Sequence, residues 1–525
     1  MAQHDMNIAN GTGAAVRADL NNALSAIATN NSGGSAPSTT FASQFFANTS
    51  AGIMQLRNTS NNAFINLFSL TGGPQFAVDG LINSQNIGMG ANSVSGNVCF
   101  GASAMDAAIT GGGNTGIGAL ALSALTSGTF NTAIGNSALL VLTTGSSNVM
   151  VGSSAGVAQT TASNNTAVGS SAFSSNTTGT ENVAVGTFAL DANTTANHNT
   201  AVGYLSLSDN TTGTGNTGLG RLSLVANTTG QDNTGIGMNA LAANTTGVLN
   251  TGVGSLSLDA CTTGIGNTGT GYGSLSGTTT GNRNSAFGAN SLPANTTGDD
   301  NVAVGTNTLN AATTANFNTG CGKGALFTCS TGVENCGFGG QALVSLTTGD
   351  RNVAVGLNSG FAMTTGDKNT YLGHSCGTNV TTGARNIIIG SDATASSATV
   401  NDEATIGGSN ITALRCNVQT IGQLSDGRDK TNVIDLPQGL DFITKLKPVK
   451  FKWATRDGNI KDGSYEHGFI AQDLQAVQKE NDADYLNMVL DENPDRLEAS
   501  YGKLVPILVK AVQELSAKVT ALEAG

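Results

Sequence analysis

The stretch Ser425-Asp426-Gly427-Arg428-Asp429-Lys430 sets a hydroxyl and an amine five positions apart in a cluster of charge. A serine hydroxyl is a weak nucleophile until a base removes its proton. A lysine serves as that base where burial among apolar groups lowers its pKa from about 10.4 toward about 7–8. Inside a folded domain the pair could attack an acyl carbon. On its own the pair reads more simply as a turn-capping serine and a surface charge.

Other chemistries find less support. The four histidines (4, 198, 374 and 467) are too scattered for a ligand set, and the seven cysteines form no C-x-x-C pair. Neither a zinc site nor a disulfide framework follows, and no metal or cofactor is expected. Glycoside hydrolysis needs two carboxylates about 5–10 Å apart. Glu334, Asp350 and Asp367 recur at near-17-residue spacing, and a solvated edge compensated by Arg351 and Lys368 is the simpler account of them.

The Ser425 cluster opens a change of composition. Residues 425–525 hold 13 of the 22 Lys and Arg and 17 of the 34 Asp and Glu, which puts a domain boundary near 424. Beyond it the apolar pattern is that of an ordinary small domain (Ile434, Leu440, Phe442, Ile443, Leu446, Val449, Phe451, Trp453). At the end, Tyr501, Val505, Leu508, Val512, Leu515, Val519 and Leu522 alternate at four and three, the seam of a short coiled coil. Pro506 falls early, where a helix tolerates it.

Before the boundary the chain is unlike a conventional domain. Only 11% of the 525 residues are charged, 71 are glycine, and there is one Trp. Ordinary domains have about 25% charged residues and about 7% glycine. From Asn97 to Asn386 an Asn recurs every 17 residues without insertion, and a degenerate copy starts at Glu403. A constant period of this kind means one structural turn per repeat. Counting that Asn as position 1, position 3 is mostly Ala or Gly, position 4 apolar, position 5 always Gly, and position 9 commonly Leu. An unvarying Gly after a β-branched residue predicts a turn with φ above zero. Each coil is expected to hold two short strands and two tight corners. The apolar strip at positions 4 and 9 would be poorly covered in one chain, and a trimer about one axis would cover it. Nineteen coils at ~4.8 Å make a rod of roughly 90 Å, with the asparagines as an amide ladder. The Asn-Thr-Thr triplets read as corner chemistry rather than glycosylation sites. The adjacent threonines lack the flat Thr-x-Thr array of an ice-binding face.

The first residues differ again. Val16, Leu20, Ala23, Leu24 and Ile27 lie at helical spacing, and IMQLRNTSNNAFINLFSL reads as two strands around an Asn-rich turn. No basic-then-apolar leader and no membrane-spanning stretch is evident, so synthesis in a cytoplasm with reduced thiols is expected. The thinly spread net charge of −12 argues against nucleic acid or an anionic membrane as partner.

Three resemblances follow from these motifs. The N-T-A-V-G-x-x-A-L signature is similar to the YadA-like left-handed β-roll heads of trimeric bacterial adhesins, whose repeats are usually somewhat shorter. Residues 8–33, IANGTGAAVRADLNNALSAIATNNSG, resemble N-terminal segments of tailed-phage fibre proteins, which sit at the virion-proximal end. The set S-D-x-R-x-K, G-x-I-A-Q-[DE] and a terminal helix resembles the intramolecular chaperone of phage endosialidases, peptidase family S74. That last resemblance implies trimer assembly followed by self-cleavage at Leu424–Ser425, with Ser425 as nucleophile and Lys430 as base. Gln472 and Asp473 would support the site; Asp473 stands where the family usually has Glu. The expected fold is mainly β. An attachment region of α and β structure (1–72) and a connector (73–96) precede a trimeric β-roll or β-solenoid shaft (97–407). A neck (408–424) leads to an α+β chaperone domain (425–525) ending in a coiled-coil helix. The expected function is a homotrimeric phage tail fibre, located in the virion, that meets tail or baseplate proteins at one end and a host glycan or surface protein at the other. Alternatives are a trimeric cell-surface adhesin and a fibre that degrades polysaccharide.

Overall fold

The structure is a computed structural model. It describes residues 85–411, 426–453, 465–491 and 497–525, with Ala18, 32–33, 45–51, 53–57, 64–69 and 80–82. They fall into two compact units, 1–317 and 318–525. The architecture is mainly β, a solenoid of 17-residue coils in both units, with few helices.

The first unit opens with a four-stranded sheet, Ser32–Gly33, Phe45–Asn48, Ile53–Arg57 and Phe64–Ser69 in spatial order. Its last two strands are the antiparallel pair read from the sequence. Of the helix expected across Val16 to Ile27, Ala18 alone is among the described residues, and it is helical. Strand Gln85–Gly88 then pairs antiparallel with Val98–Gly101, the strand of the first coil. An exposed sheet edge recruits other strands, and this antiparallel strand covers it.

Each coil contributes one short strand at positions 2–4, extended to position 5 in the first coil, not the two expected. Strands stack parallel with a shift of 17, as in Thr200↔Thr217, Ala201↔Gly218 and Val202↔Leu219. The expected second strand is replaced by a tight left-handed run. Leu222 and Leu224, at positions 7 and 9, have φ of 58° and 53°. The run still bonds to the next coil, with Leu224 N donating to Ala240 O at 2.9 Å. Stacking satisfies the backbone there without extended geometry.

Because strand side chains alternate, position 3 points into the coil and position 4 points out. Ala201 is fully buried, whereas Leu219 is 44% exposed. Position 9 also corrects the sequence reading: Leu207, Leu224 and Leu241 are fully buried within their own chain. The left-handed backbone turns them inward, so position 4 forms the open strip. The interior is narrow enough that positions 3 and 9 compensate in size. Tyr371 takes position 3, and Gly360 and Gly377 occupy position 9 around its ring, where a Cβ would collide with it. Met150 is matched by Gly156 in the same way.

Two features lock the stack. The glycine at position 5 has φ of 139° at Gly220, and a Cβ there would lie 2.5 Å from the Gly237 carbonyl oxygen. The asparagine at position 1 is buried in every coil from Asn97 to Asn386. Asn233 Oδ1 accepts from Asn250 N at 3.0 Å, while its Nδ2 donates to Gly247 O at 2.8 Å. One amide thus joins two coils and closes its own corner. A second ladder runs at position 12, with Asn227 Nδ2 donating to Asn210 Oδ1 at 2.7 Å. These Asn-Thr-Thr asparagines are buried, which bears out corner chemistry against glycosylation.

Asn233→Ala leaves the buried Asn250 N without its acceptor and removes the shorter of the two side-chain bonds to Gly247 O, the other coming from Asn244 Nδ2. Denaturant unfolding should show a loss of about 1–3 kcal/mol, the cost of one unsatisfied buried group, while Asp232→Gly should be neutral or mildly stabilising. Position 17 already carries Gly in neighbouring coils, at Gly215 and Gly266 with φ of 71° and 69°.

Burial pushes the Asp259 carboxyl above its ordinary 3.8, and its Oδ1 is buried with no hydrogen-bond partner. A raised carboxylate pKa opposes folding above that folded value. The penalty fades as pH falls through it and is absent below the ordinary value. Asp259→Asn should therefore raise the melting temperature at neutral pH, with the gain vanishing below about pH 3.8.

Candidate assembly and self-cleavage site

The C-terminal residues build a small domain around Phe442, Leu474, Ala483, Met488, Val489, Leu504 and Ile507. Three helices frame it: α1 (Leu440–Lys445), α2 (Ala471–Glu480) and α3 (Leu504–Glu523).

At its start, Asp426 caps the short 3-10 turn Gly427–Asp429 by accepting from Arg428 N at 2.9 Å. The Arg428 guanidinium also pairs with that carboxylate and holds it below its usual range. Lys430 follows the turn and is exposed in the single chain. Leu424 and Ser425 lie outside the described residues.

Gln472 and Asp473 sit exposed in the first turn of α2, where an acidic side chain favours the positive end of the helix. Ahead of them, strand Glu466–Gly468 pairs antiparallel with Val449–Phe451. The geometry explains the glycine of the G-F-I-A-Q-D stretch. A Cβ on Gly468 would collide with Tyr501 Oη, which accepts from Phe469 N at 3.1 Å. The Phe469 and Tyr501 rings also meet edge-on at 5.8 Å. Tyr501 therefore serves as a lock on the motif, in a 3-10 turn before α3, rather than as the first residue of the seam.

The rest of the seam is helical as read. Helix α3 has two faces. Leu504, Ile507 and Ala511 are buried on the domain, while Val505, Leu508, Val512, Leu515, Val519 and Leu522 are exposed. Glu514 continues the inner stripe and was missed by sequence reasoning. Its Oε2 accepts from Leu440 N at 2.8 Å, satisfying an open N–H at the start of α1. Gly439 leaves room for this bond, since a Cβ there would push the Glu514 carboxylate aside. The signal was available: one acid in an otherwise apolar stripe at 504, 507, 511 and 514.

The corner acids take structural roles. Asp350 Oδ1 accepts from Val333 N, and Asp367 Oδ1 from Asp350 N, each at 2.8 Å. Glu334 pairs with Arg351. Two of the buried cysteines, Cys261 and Cys329, take the place of the position 12 asparagine: Cys329 Sγ donates to Gly332 O, and burial pushes its thiol up to about 12. Among the described residues, no group of three or more His, Cys, Asp or Glu side chains could hold a metal ion, and no helix is long and apolar enough to cross a membrane.

The class defined by this architecture is a β-solenoid followed by a compact C-terminal domain whose last helix, among the described residues, keeps one apolar stripe exposed. Comparison adds a family: residues 425–482 match the family described as chaperone of endosialidase, peptidase family S74. No curated protein and no solved structure matches the chain.

Glu514→Ala should destabilise the C-terminal domain by roughly 1–3 kcal/mol in chemical unfolding, because a backbone N–H and the α1 terminus lose their acceptor. Gly439→Ala should give a loss of the same order, since the new Cβ displaces that carboxylate.

Proposed function

We propose that this chain is the subunit of a homotrimeric fibre, a bacteriophage tail fibre or comparable virion appendage, assembled by its own C-terminal domain. The observation that carries the reading is the chaperone-family match over 425–482, set behind a solenoid of near-identical coils. Apolar surface left open by one chain supports it. From Phe100 to Ile406, position 4 is apolar in every coil but that of Thr270. Val168 and Phe338 stand 38% and 44% exposed there. A stripe with one apolar side chain per ~4.8 Å is matched by a surface of the same period, which another copy presents. The outer stripe of α3 offers the same kind of self-complementary seam.

Uniform coils can slip by a whole repeat with little local penalty. A C-terminal domain that joins the chains first sets their register. In the cleavage step, Ser425 Oγ attacks the Leu424 carbonyl carbon as Lys430 takes the hydroxyl proton. The Leu424–Ser425 C–N bond breaks, Lys430 returns a proton to the departing amine, and water hydrolyses the resulting ester. Lys430 is exposed in one chain, so a neighbouring chain must supply the apolar cover that makes a lysine basic enough to act. Assembly thereby licenses the cut, with Gln472 and Asp473 in support. Removal of the folding aid leaves the trimer kinetically trapped. The N-terminal region joins the phage tail or baseplate, and the fibre contacts a host glycan or surface protein.

Intact mass tests the chemistry. Wild type should lack residues 425–525, and Ser425→Ala and Lys430→Ala should retain them. A whole wild-type chain, or a cut Lys430→Ala chain, refutes the dyad. For assembly, Ile236→Asp at position 4 should lose the trimer by light scattering while keeping its β-rich circular dichroism spectrum.

A further inference from the structure

The regularity of the repeat exposes its exceptions. Position 6 lies just beyond the glycine column. It holds Ala, Asn, Ser or Thr in the six coils from Ala102 to Thr187, and again at Ala289 and Thr306. Between them, five consecutive coils carry Tyr204, Arg221, Met238, Ser255 and Tyr272. Their strands stack in register, so these residues form one column. Tyr204 is 47% exposed, Met238 46% and Tyr272 57%, and Arg221 is exposed as well. The tyrosines stand four coils apart, roughly 19 Å at the usual strand spacing.

Arg221 is distinct among the arginines of the coils. Arg283, Arg351 and Arg385 each pair with a carboxylate one coil away. Among the described residues, Arg221 has no such ion pair. A guanidinium presents a planar fork matched to carboxylates, and here that fork is left for a group outside the chain.

We infer that this ridge is a docking surface for a carboxylate-bearing polysaccharide lying along the coil stack. The tyrosine rings and Met238 offer flat apolar faces to sugar rings, and Arg221 receives a carboxylate. An extended peptide fits less well, because it binds a sheet through free backbone groups. In this column the carbonyls are already used. Tyr204, Arg221, Met238 and Tyr272 accept from the N–H groups of Leu222, Asn239, Leu256 and Asn290 at 2.8–3.0 Å. With those acceptors taken, a peptide could not complete a ladder here, and the exposed side chains offer the larger contact. The inference rests on the reading of the coils as a displayed shaft, and names the ligand class of that shaft.

The test is calorimetric titration of the purified protein with alginate and hyaluronan oligosaccharides and with neutral dextran, beside the oligomeric mass of every variant. Wild type should bind a carboxylated probe in preference to dextran, more weakly as salt rises. Arg221→Ala and the double change Tyr204→Ala/Tyr272→Ala should each weaken binding about tenfold or more, while Arg283→Ala leaves it unchanged. No binding of either carboxylated probe, equal binding of dextran, or equal affinity in Arg221→Ala and Arg283→Ala overturns the proposal. A ridge variant that loses the trimer shows the column to be an interchain contact, which overturns this inference and leaves the fibre reading standing. A monomeric wild type that binds as expected refutes the trimer and upholds the ridge.

Discussion

One buried amide per turn holds the solenoid together. A 17-residue coil encloses too little apolar volume for a conventional core. It must also satisfy the backbone of a corner that water cannot reach. The position 1 asparagine does both, with its oxygen on the next coil and its nitrogen on its own corner. Displacing it by one residue would leave the next coil's N–H buried and unpaired. That constraint accounts for a period of 17 kept from Asn97 to Asn386 without insertion.

The other positions follow from that closure. Left-handed residues at positions 7 and 9 are unfavourable for leucine, yet they fold the chain inward so that Leu224 reaches the interior. Glycine at position 5 lets neighbouring backbones touch. The interior then leaves room for either a leucine opposite an alanine or a large side chain opposite a glycine, as with Tyr371, Gly360 and Gly377. Apolar residues that cannot enter, those of position 4, are presented outside, one to a coil. The geometry that makes the coil thin also leaves that apolar column exposed in the single chain.

The C-terminal domain solves a different problem. Its core is small, and much of α3 lies outside it. Leu504, Ile507, Ala511 and Glu514 tie the helix to α1 and the core, which leaves the opposite stripe open along its length. Tyr501 and Gly468 fix the start of α2, so the motif stretch is held by packing near α3. Tyr501, in the turn that leads into α3, is thus the contact between that helix's start and the stretch that leads to Gln472 and Asp473.

The sequence by itself determined the repeat, its phase, the amide ladder, the left-handed glycine and the terminal helix. Each is written in local residue types at fixed spacing. The jump in charge near 424 was legible too, and the family match begins beside it, at 425. Only the tertiary structure decided which apolar positions are inside. Positions 4 and 9 look alike in sequence, and alternation along a strand sends one outward while left-handed backbone turns the other inward. Tyr501 looked like seam until its hydroxyl met Phe469. Glu514 acquires its role from Leu440, 74 positions away. Such pairings are invisible to spacing, because they depend on where the chain returns in three dimensions rather than on what surrounds a residue along it.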